Sequence, residues 1–141
     1  MISKEDARKV VQEELESLKK RIIDNHLRAG QKASGMTIAS MHVESSDDGG
    51  VLFGRRAFGT LETGRRGGPV PKGFYHIILQ WVRDKGIKVD EPKTFAYFVA
   101  KKIAREGTSL FRQGGRDDIY SNEIPKTTES VLSRITGLLG A

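Results

Sequence analysis

LETGRRGGPVPKGFYHIILQWVRDKGI, residues 61–87, joins a glycine- and arginine-rich loop directly to the most apolar amphipathic helix of the chain. Gly64, Gly67 and Gly68 free the loop backbone, while Pro69 and Pro71 hold its exit extended and delay regular structure. From Phe74 the apolar residues fall at Phe74, Ile77, Ile78, Trp81 and Val82, the three-and-four spacing of one helical face, and Gly86 offers a C-terminal stop. The spacing predicts a helix over 73–86 with that face buried, preceded by an exposed basic loop at 63–72. The rest of the chain supplies walls for this junction.

Upstream, Ser3 followed by Asp6 has the form of a helix N-cap with an acidic first turn, and no glycine or proline interrupts the chain before Gly30. Val11, Leu15, Leu18 and Ile22 make a narrow apolar stripe, widened by Val10 and Ile23, so a long helix over 3–29 lying on a sheet or another helix is expected. MTIASMHVES then alternates Met36 and Ile38, and after a slip of one residue Met41 and Val43, with polar neighbours. That slip fits a bulge, a bend or a strand that starts late. SSDDGG at 45–50 is a turn cluster, and VLFGRRAFGTLE behind it has the content of a returning strand, with Gly54 and Gly59 inside it as bulge or close-approach positions. The expectation is a β-hairpin over 35–62.

Downstream, Asp90, Glu91 and Pro92 cap a helix over 92–106 with Phe95, Phe98, Val99 and Ile103 on one side and Ala96, Ala100 and Ala104 beside them, where another helix can come close. REGTSLFRQGGRDDIY reads as irregular surface loop. Pro125 opens a last helix over 122–139 with Val131, Leu132, Ile135, Leu138 and Leu139 as its apolar positions. The fold class is α+β: a small antiparallel sheet built around the hairpin, packed against about four helices in a single domain, 1–141.

With 37% hydrophobic and 30% charged residues in 141, the composition is that of one ordinary globular domain. No apolar run reaches the roughly 20 residues of a membrane helix, and the charged start MISKEDARKV lacks the core of a secretory signal, so action where the chain is made is expected. Cysteine is absent, which excludes disulfides, thiolate nucleophiles and cysteine-ligated zinc. The net charge of +6 allows contact with DNA or an acidic surface.

Catalytic chemistry finds no foothold. His26, His42 and His76 lie on separate elements without metal-ligand spacing, and no P-loop, GxGxxG or GxSxG is present. Asp47 with Asp48, and Asp117 with Asp118, sit beside glycines, where turn chemistry explains them. No catalytic, cofactor-binding or metal residue is assigned, and no cofactor is expected. The basic cluster stands out instead: Arg55, Arg56, Arg65, Arg66 and Lys72 against the single Glu62. It reads either as a solvated rim or as a contact for phosphates or carboxylates, where the arginine fork gives bidentate geometry. Aromatics do not alternate with these arginines, so backbone contact is favoured over base stacking, and Phe74, Tyr75 and Trp81 read as core and interface.

Four pieces taken in order carry a resemblance. They are Ser34-Gly35-Met36 leading to Ser40-Met41; Glu62-Thr63-Gly64-Arg65 with Pro69 and Pro71; Ile78 to Trp81 running to Lys85-Gly86-Ile87; and Ile103-Ala104 to Gly107-Thr108. Across residues 33–108 the chain resembles the small neck, head-tail connector or tail-completion proteins of tailed double-stranded DNA bacteriophages, with Ser34 where that family often has threonine. The resemblance implies a non-enzymatic virion subunit, assembled in the host cytoplasm into a multi-copy ring at the head-tail junction or upper tail. Its partners would be itself, neighbouring portal, connector or tail proteins, and double-stranded DNA passing through the ring, with no membrane. It also implies loops that order on docking, for which 64–68 and 107–115 are the candidates. From the residues alone, a basic accessory protein binding double-stranded DNA without sequence specificity is the alternative.

Overall fold

The computed structural model describes residues 2–140. Helix α1 (Lys4–Arg28) starts where the Ser3 hydroxyl accepts the Asp6 amide at 3.0 Å. It buries Val10, Leu18 and Ile22 along the expected stripe, and also Asn25 and His26, which no apolar pattern could reveal. A single helical turn, α2 (Met36–Ser40), comes next. Strand β1 (His42–Ser46) then pairs antiparallel with β2 (Gly49–Phe53), in a register running from His42 opposite Phe53 to Ser46 opposite Gly49. The fold is α+β, with a sheet of two strands.

The hairpin is shorter at both ends than its sequence suggests. The slip after Ile38 is a strand that starts late: residues 36–40 coil into α2, and Ser40 is held by its hydroxyl bonding back to the Thr37 carbonyl. At the other end the strand stops at Phe53. Residues 54–62, expected as its continuation, turn instead into a 3-10 helix (Arg56–Gly59) and the short α3 (Thr60–Thr63), which also takes in the first residue of the expected basic loop. Phe58 and Leu61 thereby reach the core beneath α1, which a two-stranded ribbon continuing outward would not allow.

Helices α4 (Phe74–Asp84), α5 (Pro92–Glu106) and α7 (Glu123–Gly140) lie where expected, and α1, α4 and α5 each stop at or just before a glycine. Residues 107–122 are more than a surface loop. They contain α6 (Ser109–Arg112), and Ile119 is fully buried between α1 and the hairpin.

Two apolar clusters result. One gathers Leu18 and Ile22 of α1, Met41, Ile119, Leu52 of β2, and Phe58 and Leu61. The other lies wholly between α4 and α5, where Ala96 and Ala100 let Ile78, Leu79 and Val82 approach closely. The body formed by α1, the hairpin and α7 thus carries a helical arm, α4–α5. The arm meets the end of α1 through the Lys85 ammonium, which donates to the Gly30 carbonyl.

The two glycine-rich segments join arm to body. The Gly68 amide donates to the Ala104 carbonyl at 2.7 Å, Thr108 to the Arg65 carbonyl at 2.8 Å, and the Arg65 amide to the Thr108 hydroxyl at 3.0 Å. At Gly64, with φ +67°, a side chain would strike the Phe111 backbone and the Thr108 hydroxyl; at Gly107, with φ +85°, a Cβ would lie 2.7 Å from the Arg65 carbonyl. Glycine is required there for backbone to pack on backbone. The segments expected as free docking loops are bonded to each other in the monomer.

Candidate functional site

The five basic residues of the candidate site divide into two kinds. Arg65 is committed within the chain: its guanidinium donates to the carbonyls of Pro69 at 2.8 Å and Arg66 at 3.3 Å and lies over the Phe74 ring, 5.3 Å from its centroid. It braces the loop against the start of α4. Arg55 and Arg56, at the exit of the hairpin, and Arg66 and Lys72, on the loop, are exposed, and among the described residues no side-chain hydrogen bond or ion pair engages them. These four cations are available to an external anion.

Glu62, read in the sequence as a charge opposing the cluster and as the start of the Glu62-to-Arg65 turn, is the polar centre of the body. It is 4% exposed. Its Oε2 accepts the backbone amides of Ile119, Tyr120 and Ser121 at 3.1, 2.8 and 2.8 Å, and its Oε1 accepts the Ser121 hydroxyl. Its own carbonyl accepts the Arg116 amide at 2.8 Å. Burial pushes the carboxyl up, but the Ser121 hydroxyl and the three amides together outweigh it and hold the group below the ordinary carboxylate value. Tyr120 continues the seam, its hydroxyl donating to the Gly59 carbonyl at 3.0 Å and its ring 5.3 Å from Phe58. A carboxylate bonded at four points to one segment acts as a fastener between α3 and residues 119–121.

A second buried carboxylate, Glu123, closes α7 onto α1. It accepts from Asn25 at 2.9 Å and Arg21 at 3.0 Å, while Arg21 also reaches the Thr127 hydroxyl at 2.6 Å. The Asn25 amide, then Arg21 and Lys126, lower its pKa against the opposing effect of burial. Further along, Arg134 clasps Glu13 at 2.8 Å and Glu14 at 3.6 Å.

The histidines have ordinary surroundings. His26 is buried with its Nδ1 3.2 Å from the Gln31 amide oxygen, His42 stacks on Phe53, and His76 lies edge-on to Tyr75. Asp118 forms a two-point pair with Arg116 at 2.5 and 2.8 Å, and Asp47 lies 4.0 Å from Arg8, both in turns. Among the described residues no group of three or more His, Cys, Asp or Glu converges as metal ligands. None of the described helices is long and apolar enough to cross a membrane.

The helix at 74–84 departs from expectation in which face it buries. Ile78, Leu79 and Val82 pack on α5, whereas Ile77 is 54% and Trp81 38% exposed. A wide apolar stripe against a single partner helix covers only part of its arc. The uncovered remainder forms, with Val99, Ile103 and Leu110, a groove of about 490 Å³ edged by Lys102 and Arg112. Phe98, 63% exposed, stands in a shallower hollow that shares Val99 and Lys102 with this groove. One apolar band therefore runs along the arm. Its residues were visible in the sequence as apolar; that no other described element would cover them was not.

No protein-family model, curated protein or solved structure matches this chain. The functional reading therefore rests on the residues and their arrangement.

Proposed function

We propose that this chain is a non-enzymatic structural subunit of a tailed bacteriophage virion, acting in the neck, connector or tail-completion region as one of several copies in a ring. The observation that carries the reading is the apolar band on α4–α5, flanked by cations and left uncovered by the described residues. Continuous exposed apolar surface of this kind is the mark of a protein-protein interface. The reading also draws on the resemblance of residues 33–108, whose Ile78-to-Ile87 and Ile103-to-Thr108 pieces frame that groove. The subunit would assemble in the host cytoplasm and remain in the virion, next to portal, connector or tail proteins and the DNA passing through.

Mass spectrometry of purified, nuclease-treated particles from the source tests it. The expected result is this polypeptide at a fixed multi-copy ratio to the portal protein. Its absence from finished particles would overturn the reading.

One observation favours a second reading, a basic accessory protein on double-stranded DNA: the four exposed cations Arg55, Arg56, Arg66 and Lys72 are unengaged within the described chain. Phosphate contacts of this kind bind without sequence preference and weaken steeply with salt. On this reading the isolated protein binds duplex at low salt, and neutralising Arg55, Arg56 and Arg66 flattens the salt dependence. No binding at low salt ends it.

A further inference from the structure

Among the apolar surfaces that the described residues leave uncovered, two are of opposite shape. One is the groove on the arm, lined by Ile77, Trp81, Val99, Ile103 and Leu110. The other is a ridge on the outer side of α7, where Ile124, Leu132 and Leu139 are 51%, 63% and 57% exposed. Leu132 and Leu139, two turns apart, share one face of the helix, turned away from the face that Thr127 and Glu123 present to α1, with Ile124 at its edge.

Charge is divided the same way. Between residues 55 and 112, thirteen Lys and Arg stand against five Asp and Glu, and Lys102 and Arg112 lie at the groove itself. At the other end, residues 4–16 and the hairpin 42–53 hold eight Asp and Glu against three Lys and Arg. The C-terminal half of α7 lies at that acidic end, bound through Arg134 to Glu13 and Glu14, and Leu138 borders Asp6 and Val10. The Leu132–Leu139 half of the ridge and the groove cannot meet within one chain, because Arg134 holds that half of α7 at Glu13 and Glu14 while the arm meets the chain beyond the opposite end of α1.

We propose that the α4–α5 groove of one copy receives the outer face of α7 from a second copy, basic groove on acidic end. The contact is head-to-tail: each chain offers one groove and one ridge, so association propagates and closes into a ring when the rotation per step permits. Opposite charge at the two ends sets the polarity of docking and speeds encounter. The proposal rests on the assembly reading only in taking a second copy as the occupant; the surfaces are defined without it.

The test uses two variants of the full-length chain, Ile77→Asp in the groove and Leu132→Asp on the ridge. Both positions are exposed in the monomer, so each variant should keep the wild-type circular dichroism spectrum. In sedimentation velocity the wild type is expected to form species larger than a dimer, and each variant alone to remain a monomer. An equal mixture should give a species of twice the monomer mass, because the intact ridge of one variant fits the intact groove of the other. A monomeric mixture, a monomeric wild type at its highest soluble concentration, or wild-type association by either variant alone would overturn the proposal. The particle measurement separates this outcome from the assembly reading. A monomeric wild type present at fixed ratio in particles sinks the head-to-tail contact alone, and a dimerising mixture of a chain absent from particles sinks the virion role alone.

Discussion

The body and the arm handle their interiors in opposite ways. In the body, polar groups taken out of water are paired: Glu62 with three amides and a hydroxyl, Glu123 with Asn25 and Arg21. Among the described residues no buried side-chain nitrogen or oxygen lacks a partner. The arm has no such fastening between α4 and α5; it is held by one apolar seam and leaves the other half of its apolar surface open. A domain stabilised by satisfied polar groups is complete by itself, whereas an uncovered apolar face is unfinished until something docks on it. The interior of the body is thus complete, whereas the apolar seam of the arm runs on into an open groove.

The sharpest way to break this contrast is Glu62→Ala. It removes the acceptor of three amides, one buried and two partly buried, and of the Ser121 hydroxyl at once, and a loss of about 3 kcal/mol in urea unfolding is expected. If the variant unfolds like the wild type, Glu62 is not the body's fastener. Next comes Gly64→Ala, which needs a positive φ and places a methyl group against the Phe111 backbone. It should cost about 2–4 kcal/mol, read as a fall in Tm. Gly137→Ala is its control: nothing lies within 4 Å of the added Cβ inside α7, and a gain of about 0.5–1 kcal/mol is expected.

Acid should act on the same fasteners. The carboxyls of Glu62 and Glu123 are both held below their ordinary value of 4.5 in the folded chain. A depressed folded pKa means that the unfolded chain binds protons first, so their contribution is present above about pH 4.5 and is lost as pH falls through the folded values. The wild-type urea midpoint should therefore drop below pH 4.5, and Glu62→Gln should show a shallower drop over the same interval. Parallel curves for the two proteins would assign the acid sensitivity elsewhere.

What could be read from the sequence follows the range of the interactions. Helices α1, α4, α5 and α7 were legible because capping residues, apolar spacing and glycine stops act within a few residues. The stretch 54–63 was not: Phe58 and Leu61 suit a strand as well as a turn, and the choice is made by Ile119 and Tyr120, which they meet only in the fold. Glu62 shows the same limit, since the amides it accepts lie 57 to 59 positions away. At the candidate site, the cations were legible as composition, but the division between Arg65 and the rest depends on carbonyls that the proline-bent loop brings round. The groove was hidden for a different reason. Periodicity marks a face as apolar without saying how many neighbours the helix has to cover it, so Ile77 and Trp81 looked like core.

That division among the arginines gives the smallest effect and the finest test of which surface works. Arg65 makes two carbonyl bonds and one ring contact at a half-exposed site, so Arg65→Ala should cost roughly 0.5–1.5 kcal/mol of stability. Arg66, its neighbour, engages no described residue through its side chain, and Arg66→Ala should leave stability within about 0.5 kcal/mol of wild type. An external role predicts the reverse order in binding: Arg66→Ala, with Arg55→Ala and Arg56→Ala, should weaken attachment to DNA or an acidic partner more than Arg65→Ala does. Thermal melts and a salt titration on the same two proteins measure both orders. If Arg65→Ala proves the more damaging in both, the loop contributes through its shape, and recognition belongs to the apolar band on the arm.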